Sequence, residues 1–198
     1  TDIPGIIVAV PSCAADAPAM LRECVRMAHE DGRVVVFVEP IALYHTTDLA
    51  AAADGEWTAP YIAPENADRV AFGELHQHGT GTQLAIITYG NGYFLSRQAE
   101  AKLREAGIDL RIIDLRWLHP LNDKAIVAAV ADCASILIVD ESRRSGSLSE
   151  KLMTILTEAG RGDSVSRITA EDCFIPLGPA AELVLPSKAS IIEAAKAA

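Results

Sequence analysis

The chain has 198 residues, half of them apolar, and carries 17 basic against 27 acidic side chains for a net charge of −10. That is globular composition, long enough to bury a core, and it excludes the cationic face on which nucleic-acid binding rests. No apolar run reaches the roughly 18 residues of a membrane span, and nothing reads as a signal peptide, so neither a membrane nor a nucleic acid is an expected partner.

The four cysteines, Cys13, Cys24, Cys133 and Cys173, are widely spaced and form no C-x-x-C pair. They read as reduced thiols of a cytoplasmic protein, since a disulfide framework needs a higher density. The opening Thr1-Asp-Ile-Pro lacks an initiator Met and runs almost at once into a strand, which reads as a processed or truncated product.

Ile6-Ile-Val-Ala-Val10, closed by Pro11, predicts a short strand buried on both faces. Ser12 or Asp16 is placed to cap the helix that follows, with Pro18 tolerated in its first turn. Met20, Leu21, Cys24, Val25 and Ala28 give that helix one apolar stripe, and Asp31-Gly32 ends it. Val34-Val-Val-Phe-Val38 predicts a second buried strand, completing a βαβ unit too small to stand alone.

From Ile41 to about Thr82 the pattern dissolves into Ala50–Ala53, Asp54-Gly55, Pro60 and Pro64, with a short strand expected near Val70–Phe72. Loops this long are usually functional or interdomain. The expected division is therefore a remnant of one domain at 1–45, a linker at 46–82 and a second domain at 83–198.

That second body alternates regularly. Strand Leu84–Tyr89, a helix to about Ala106 capped by Gly107, strand Leu110–Leu115, helix Asp123–Ala134 and strand Ile136–Val139 come first. Helix Leu148–Ala159, strand Val165–Thr169 and a last helix from about Lys188 to Ala197 complete it. Alternation with short loops predicts an α/β fold, a mostly parallel sheet covered by helices on both faces.

Candidate chemistry is sparse. Gly90-Asn91-Gly92 sits at a strand-to-helix turn where free N–H groups favour an anion, but Leu95 replaces the third glycine of a nucleotide fingerprint, so a tight turn is the simpler reading. His76 and His78 share one face of an extended segment as a possible metal pair, with no third ligand at a recognisable spacing. His119 follows a strand end, where α/β sheets place ligands and a histidine can act as acid, base or donor; alone it reads as a packed loop residue. Asp140-Glu141-Ser142-Arg143-Arg144 can hold an anion through its arginines, or form an internal ion-pair cluster that stiffens the turn and an intersubunit contact, the reading preferred here. Ser145-Gly-Ser-Leu-Ser149 is no nucleophile elbow; Ser147 or Ser145 caps the next helix, with Glu150 set for a capping box on Ser147.

The order of short motifs carries a resemblance. Pro4–Ser12, a helix, Val36-Phe-Val-Glu-Pro40 and Leu43-Tyr44 resemble the end of the pyrimidine-binding domain of β-type E1 components of thiamine-diphosphate-dependent 2-oxo acid dehydrogenases. Tyr89-Gly90, Ile113-Asp-Leu-Arg116, Pro120-Leu121, Val139-Asp-Glu141, Thr169–Ala181 and Leu185-Pro186 resemble their transketolase-like C-terminal domain. The resemblance covers essentially the whole chain. It departs from many members at Ile41 and His45, where a basic residue and an arginine are common, and near Ser145–Ser149. Trp117, Arg143-Arg144 and Phe174–Gly178 look like a bacterial subgroup, some of whose members fuse α and β parts.

The resemblance implies an oxidoreductase. With thiamine diphosphate and Mg such an enzyme decarboxylates a 2-oxo acid and passes the acyl group to a lipoyl group on an E2 acyltransferase. It also implies an E1 α-type chain or region as partner, in a homodimer or heterotetramer. The activating glutamate and the metal-diphosphate segment of that family are not among residues 1–198. No catalytic, cofactor-binding or metal-ligating residue is therefore carried over, no cofactor is expected on this fragment, and the fragment is expected to be inert alone. Some members hold a structural potassium ion at the turn corresponding to about Glu30–Arg33, which reads longer here. Transketolase and deoxyxylulose-phosphate synthase share the C-terminal fold and remain alternatives. So does a stand-alone, non-catalytic interaction module.

Overall fold

The computed structural model describes residues 3–198. Strands β1 (Ile6–Ala9) and β2 (Val34–Phe37) run parallel, Ile6 opposite Val34 and Ala9 opposite Phe37, with helix α1 (Asp16–Glu30) as the crossover. Met20, Cys24 and Met27 of α1 pack on Ile7 and Ala9, with Val35 and Phe37 at the margin. Only that face is covered. Burial of both faces was expected, but Val34 is 61% exposed and Val36 and Val38 lie open beside it. The reason is positional: β2 is an edge strand, and no element among the described residues lies over its valines.

The expected cap of α1 is also corrected. Its N-cap is Ala15, without a side-chain bond, because Ser12 and Asp16 are drawn to partners across the molecule. At the other end Gly32 takes a left-handed φ of 62°, and the N–H groups of Asp31 and Arg33 both donate to Met27 O.

The stretch from 41 to 82 has little regular structure, yet it is pinned. Asp54 accepts N–H bonds from Leu49, Ala50, Ala51 and Glu56, and Asp48 accepts from Ala53 and Gly55. These bonds hold Leu49 and Trp57 in one apolar core with Ile86, Leu103 and Ile112. The strand expected at Val70–Phe72 does not form. Val70 instead plugs the core beneath α1, and Phe72 meets Trp117 edge-on at 5.3 Å. A strand arises just after, β3 (His76–His78).

Strands β4 (Leu84–Thr88), β5 (Leu110–Asp114), β7 (Ser135–Arg143) and β8 (Val165–Ala170) are mutually parallel in the order β5-β4-β7-β8, and antiparallel β3 closes the β5 edge. Every residue of β4 and β5 is buried, as expected of parallel strands with both faces covered. Helices α2 (Asn91–Glu105) and α5 (Lys188–Ala197) enclose Ile86, Leu103, Ile112, Leu137 and Ile191 on one face. On the other, α3 (Asp123–Ala129) and α4 (Leu148–Glu158) enclose Ile87, Ile113, Ile126, Ile138 and Leu152. The predicted α/β layering is thus present. Helix α3 stops at Ala129 rather than Ala134, its end closing in turns that return Cys133 N–H to Val130 O.

One strand crosses over. After β5, Leu115 and a left-handed Arg116 (φ 56°) redirect the chain into β6 (Trp117–His119), which pairs antiparallel with β1. The small sheet, β2-β1-β6, therefore takes a strand from the body that builds the large one.

Candidate functional site

Strand order reverses between β4 and β7, and open α/β sheets bind ligands at the carboxyl ends of such a pair. Here β4 delivers Tyr89 and the start of α2, while β7 delivers Asp140, Glu141 and Ser142. Asp140 is buried and committed. Its Oδ1 accepts from Tyr89 OH at 2.6 Å and Ser142 N at 2.8 Å, and its Oδ2 accepts from Ser149 N at 2.8 Å, in the first turn of α4. Burial, then the Asp140 charge, hold the Tyr89 phenol well above its ordinary value. Glu141 is the freer acid: burial raises its carboxyl, and Asn91 Nδ2 donates to it from the third residue past the β4 end. The crevice thus has one satisfied carboxylate that fixes α4 and one half-buried carboxyl at its mouth.

A second polar cluster lies at the junction of the sheets. Ser12 Oγ donates to Asp114 Oδ1 at 2.8 Å and accepts from Gly90 N at 2.7 Å. Beside it, Arg116 Nε and Nη2 clasp the carboxylate of Asp16. Around Asp16's loop a cleft of about 390 Å³ opens between Cys13, Glu39, Tyr44, Thr47 and Trp57, with Tyr44 OH donating to Glu39 at 2.6 Å. Burial pushes the Cys13 thiol up to about 12, so it is not a thiolate nucleophile.

The residues singled out in the sequence are dispersed. Gly90-Asn91-Gly92 is a tight turn: Gly90 N–H is occupied by Ser12, and a Cβ on Gly90 would meet Val10 and Pro40 at 3.4 Å. His76 turns its ring toward Tyr93, and His78 Nε2 pairs with Glu100 at 2.9 Å. They do not converge on a metal, and no group of three His, Cys, Asp or Glu able to hold one occurs among the described residues. His119 ends β6 with a buried Nδ1 that has no partner. The ion-pair cluster expected at Arg143-Arg144 is replaced: Arg143 Nε donates to Ser145 O, and Arg167 donates to Arg144 O. The Ser147–Glu150 capping box does not form either. Asp140 supplies the α4 cap, Ser147 Oγ bonds Ser149 Oγ, and Glu150 accepts from Gly146 N. A capping box does form at the start of α5, between Ser187 and Ser190. The junction cluster escaped sequence reasoning because its members lie up to 102 residues apart.

A mostly parallel α/β sheet, closed by an antiparallel edge strand and fused through β6 to part of a second sheet, defines the class of fold. Residues 73–191 match the family described as transketolase, C-terminal domain, and the chain belongs to that family. The β subunit of the pyruvate dehydrogenase E1 component from Bacillus subtilis (strain 168) is 27% identical over 196 residues, covering 98% of this chain and 55% of that protein. The β subunit of acetoin:2,6-dichlorophenolindophenol oxidoreductase from Cupriavidus necator is 28% identical, covering 99% of this chain and 54% of that protein. The chain spans about half the length of the curated relatives it matches. Among solved structures, a split-gene transketolase described as an inactive β4 tetramer has the same fold, with a TM-score of 0.73 and 19% identity over all of this chain and 59% of that one. The resemblance to β-type E1 components carried by the short motifs therefore extends over nearly the full chain.

Proposed function

We propose that this chain is the C-terminal portion of a thiamine-diphosphate-dependent 2-oxo acid dehydrogenase E1 component of the β type. In this reading residues 1–45 end a pyrimidine-binding domain, 46–82 cross to the second body, and 83–198 form the C-terminal domain. The observation that carries it is the bare valine face of β2. Parallel sheets are covered on both sides, so exposed Val34, Val36 and Val38 at an open edge fit a sheet completed by further chain. A chain spanning half of its relatives' length is what such a face requires.

The whole enzyme would decarboxylate a 2-oxo acid and acylate a lipoyl group on E2, with an E1 α-type chain or region as partner and Mg beside the cofactor, in the cytoplasm. The residues described do not fit the cofactor's diphosphate and metal. The Gly90 N–H ahead of α2 is taken by Ser12, and Glu141 at the crevice mouth is bonded by Asn91. Their contribution is assembly: Phe174 is fully exposed, with Leu177 and Leu183 bare on the same loop, as suits a docking or subunit contact. No helix among the described residues is long and apolar enough to cross a membrane.

The test compares the native full-length protein, purified with whatever chains accompany it, against the 198-residue chain. The former is expected to release CO2 from a 2-oxo acid in the presence of thiamine diphosphate and Mg; the latter is not, at any cofactor concentration. Turnover by the 198-residue chain alone would sink the reading, as would a native product that begins near Thr1 and travels without a partner.

A further inference from the structure

We propose that the Asp114–Ser12–Gly90 relay is a proton-operated latch that fastens the small sheet to the large one, closed when Asp114 is neutral and loosened when it ionises. The proposal is independent of the enzyme assignment. It rests on the position of one buried carboxyl group in the junction. Asp114 ends β5, the last residue before the chain turns into β6, and its side chain is wholly buried. Oδ1 accepts from Ser12 Oγ at 2.8 Å and more weakly from Arg116 N at 3.3 Å. Ser12 then accepts from Gly90 N at the head of α2, so a single hydroxyl ties the β1–α1 loop to β5 and α2 together. Oδ2 is buried with no partner.

A carboxylate in that position leaves Oδ2 without a donor, whereas a neutral carboxyl keeps both bonds at Oδ1 and adds no second negative charge beside Asp16 in the buried junction. The cation facing it pulls its carboxyl down only in part, because that cation is bonded to other carboxylates. From the β5–β6 turn comes Arg116, but Nε and Nη2 are engaged by Asp16 at 2.8 and 2.6 Å, and Nη1 faces Glu74 at 3.8 Å. From the first turn of α1 comes Asp16 itself, a second negative charge, and from the β1–α1 loop comes Cys13, whose thiol burial pushes up. From α2 comes Tyr93, its phenol raised by burial, with Arg97 Nη1 at 3.5 Å from that oxygen. From β3 comes His76, directly opposite Asp114 in the ladder, its imidazole held below its ordinary value by burial and by Arg116. Burial, with Asp16 adding to it, pushes the Asp114 carboxyl up to about 7 from 3.8, although the Ser12 bond pulls the other way.

The sign follows. The closed junction binds a proton that the opened one gives up, so closure is strongest at acid pH. It weakens as pH rises from about 4 and stops changing above about 7, with the proton released to solvent. Ionisation is relieved by admitting water to Oδ2, and because Oδ2 is wholly enclosed, water reaches it only if the β1–α1 loop parts from β5, which takes Ser12 away from the Gly90 amide.

The test is amide hydrogen exchange on the full-length protein, followed at Gly90 and over residues 6–20, at pH values from about 5 to 8.5 and divided by the intrinsic exchange rate at each pH. The opening constant is expected to rise with pH, at most about tenfold per unit, and to level off near pH 7. Asp114→Asn keeps an acceptor for Ser12 without the charge and is expected to give a low, flat profile. Ser12→Ala is expected to raise opening at acid pH while the slope persists, because Asp114 still titrates. A flat wild-type profile between pH 5 and 7 overturns the proposal even if neither variant folds, and so does an Asp114→Asn protein that keeps the slope.

Discussion

Arg116 reaches Asp16 across 100 residues of sequence, and its guanidinium lies 2.8 and 2.6 Å from the two carboxylate oxygens. Both side chains are more than nine-tenths buried. The arginine stands on a left-handed backbone, a conformation that costs a non-glycine residue about 1 kcal/mol or more. That backbone is what aims the side chain back at α1 while the chain itself turns into β6. The pair therefore joins the two sheets beside the Ser12 relay.

Removing one partner should be expensive. Arg116→Gln leaves Asp16 buried and unpaired, and a loss of about 3 kcal/mol is expected in urea unfolding. Adding Asp16→Asn to that variant should cost much less than Asp16→Asn does alone. Simple additivity of the two would show that the contact carries little energy.

Two glycines are fixed by space rather than by φ. A Cβ on Gly92 would lie 2.3 Å from Thr88 Oγ1, and one on Gly81 would lie 2.2 Å from Leu110 N. Gly92→Ala is expected to cost about 2 kcal/mol, and Thr88→Ala should recover part of it because the obstacle is a side chain. Gly81→Ala meets backbone and has no such remedy. Its cost, about 3 kcal/mol or more, should show as a fall in Tm that no single neighbouring substitution restores.

Tyr89→Phe tests the crevice. The phenol donates to Asp140 Oδ1 and shares a contact with Ser142. Losing a bond to a charged, buried acceptor should cost about 2 kcal/mol. Because Asp140 also holds the first turn of α4 through Ser149 N, exchange of α4 amides should quicken in the same variant. Unchanged α4 exchange would separate the two roles of Asp140.

Acid stability is expected to depend on Glu23. Bonds from Arg26 and Arg69, outweighing burial, bring its carboxyl down to about 2 from 4.5. A depressed folded value means stability that is full above about pH 4.5 and is lost as pH falls toward 2. In Glu23→Gln the urea midpoint should start lower at neutral pH and fall less steeply below pH 4.5. An identical acid limb in both proteins would contradict this.

What could be read from the sequence was periodic. The strands from Leu84, Leu110, Ile136 and Val165, and the helices between them, declare themselves because both faces of a parallel sheet demand apolar runs and helix stripes. The elements missed have no such pattern. His76–His78 becomes a strand only because β5 offers an edge, and Trp117–His119 pairs with a strand at the far end of the sequence, Trp117 opposite Ala9 and His119 opposite Val8. The valine run of β2 was misread for the converse reason: its composition describes a covered face, which the described residues do not provide. In the candidate site, Asp140 and Glu141 were visible as a polar break after an apolar strand. The Asp114 relay was not, since an aspartate after Ile-Ile reads as a strand end, whether it points into water or into a junction.

The crossover of β6 has a topological consequence. Since the small sheet borrows Trp117–His119 from beyond the large sheet's first strands, the two are laced rather than strung in series. A single break in the loop around Tyr61 would leave one product lacking a strand and the other trailing an indole with nowhere to go. Pieces made separately would each carry the complement of the other's gap, so a gene divided at this point should still yield a whole fold by reassembly in trans.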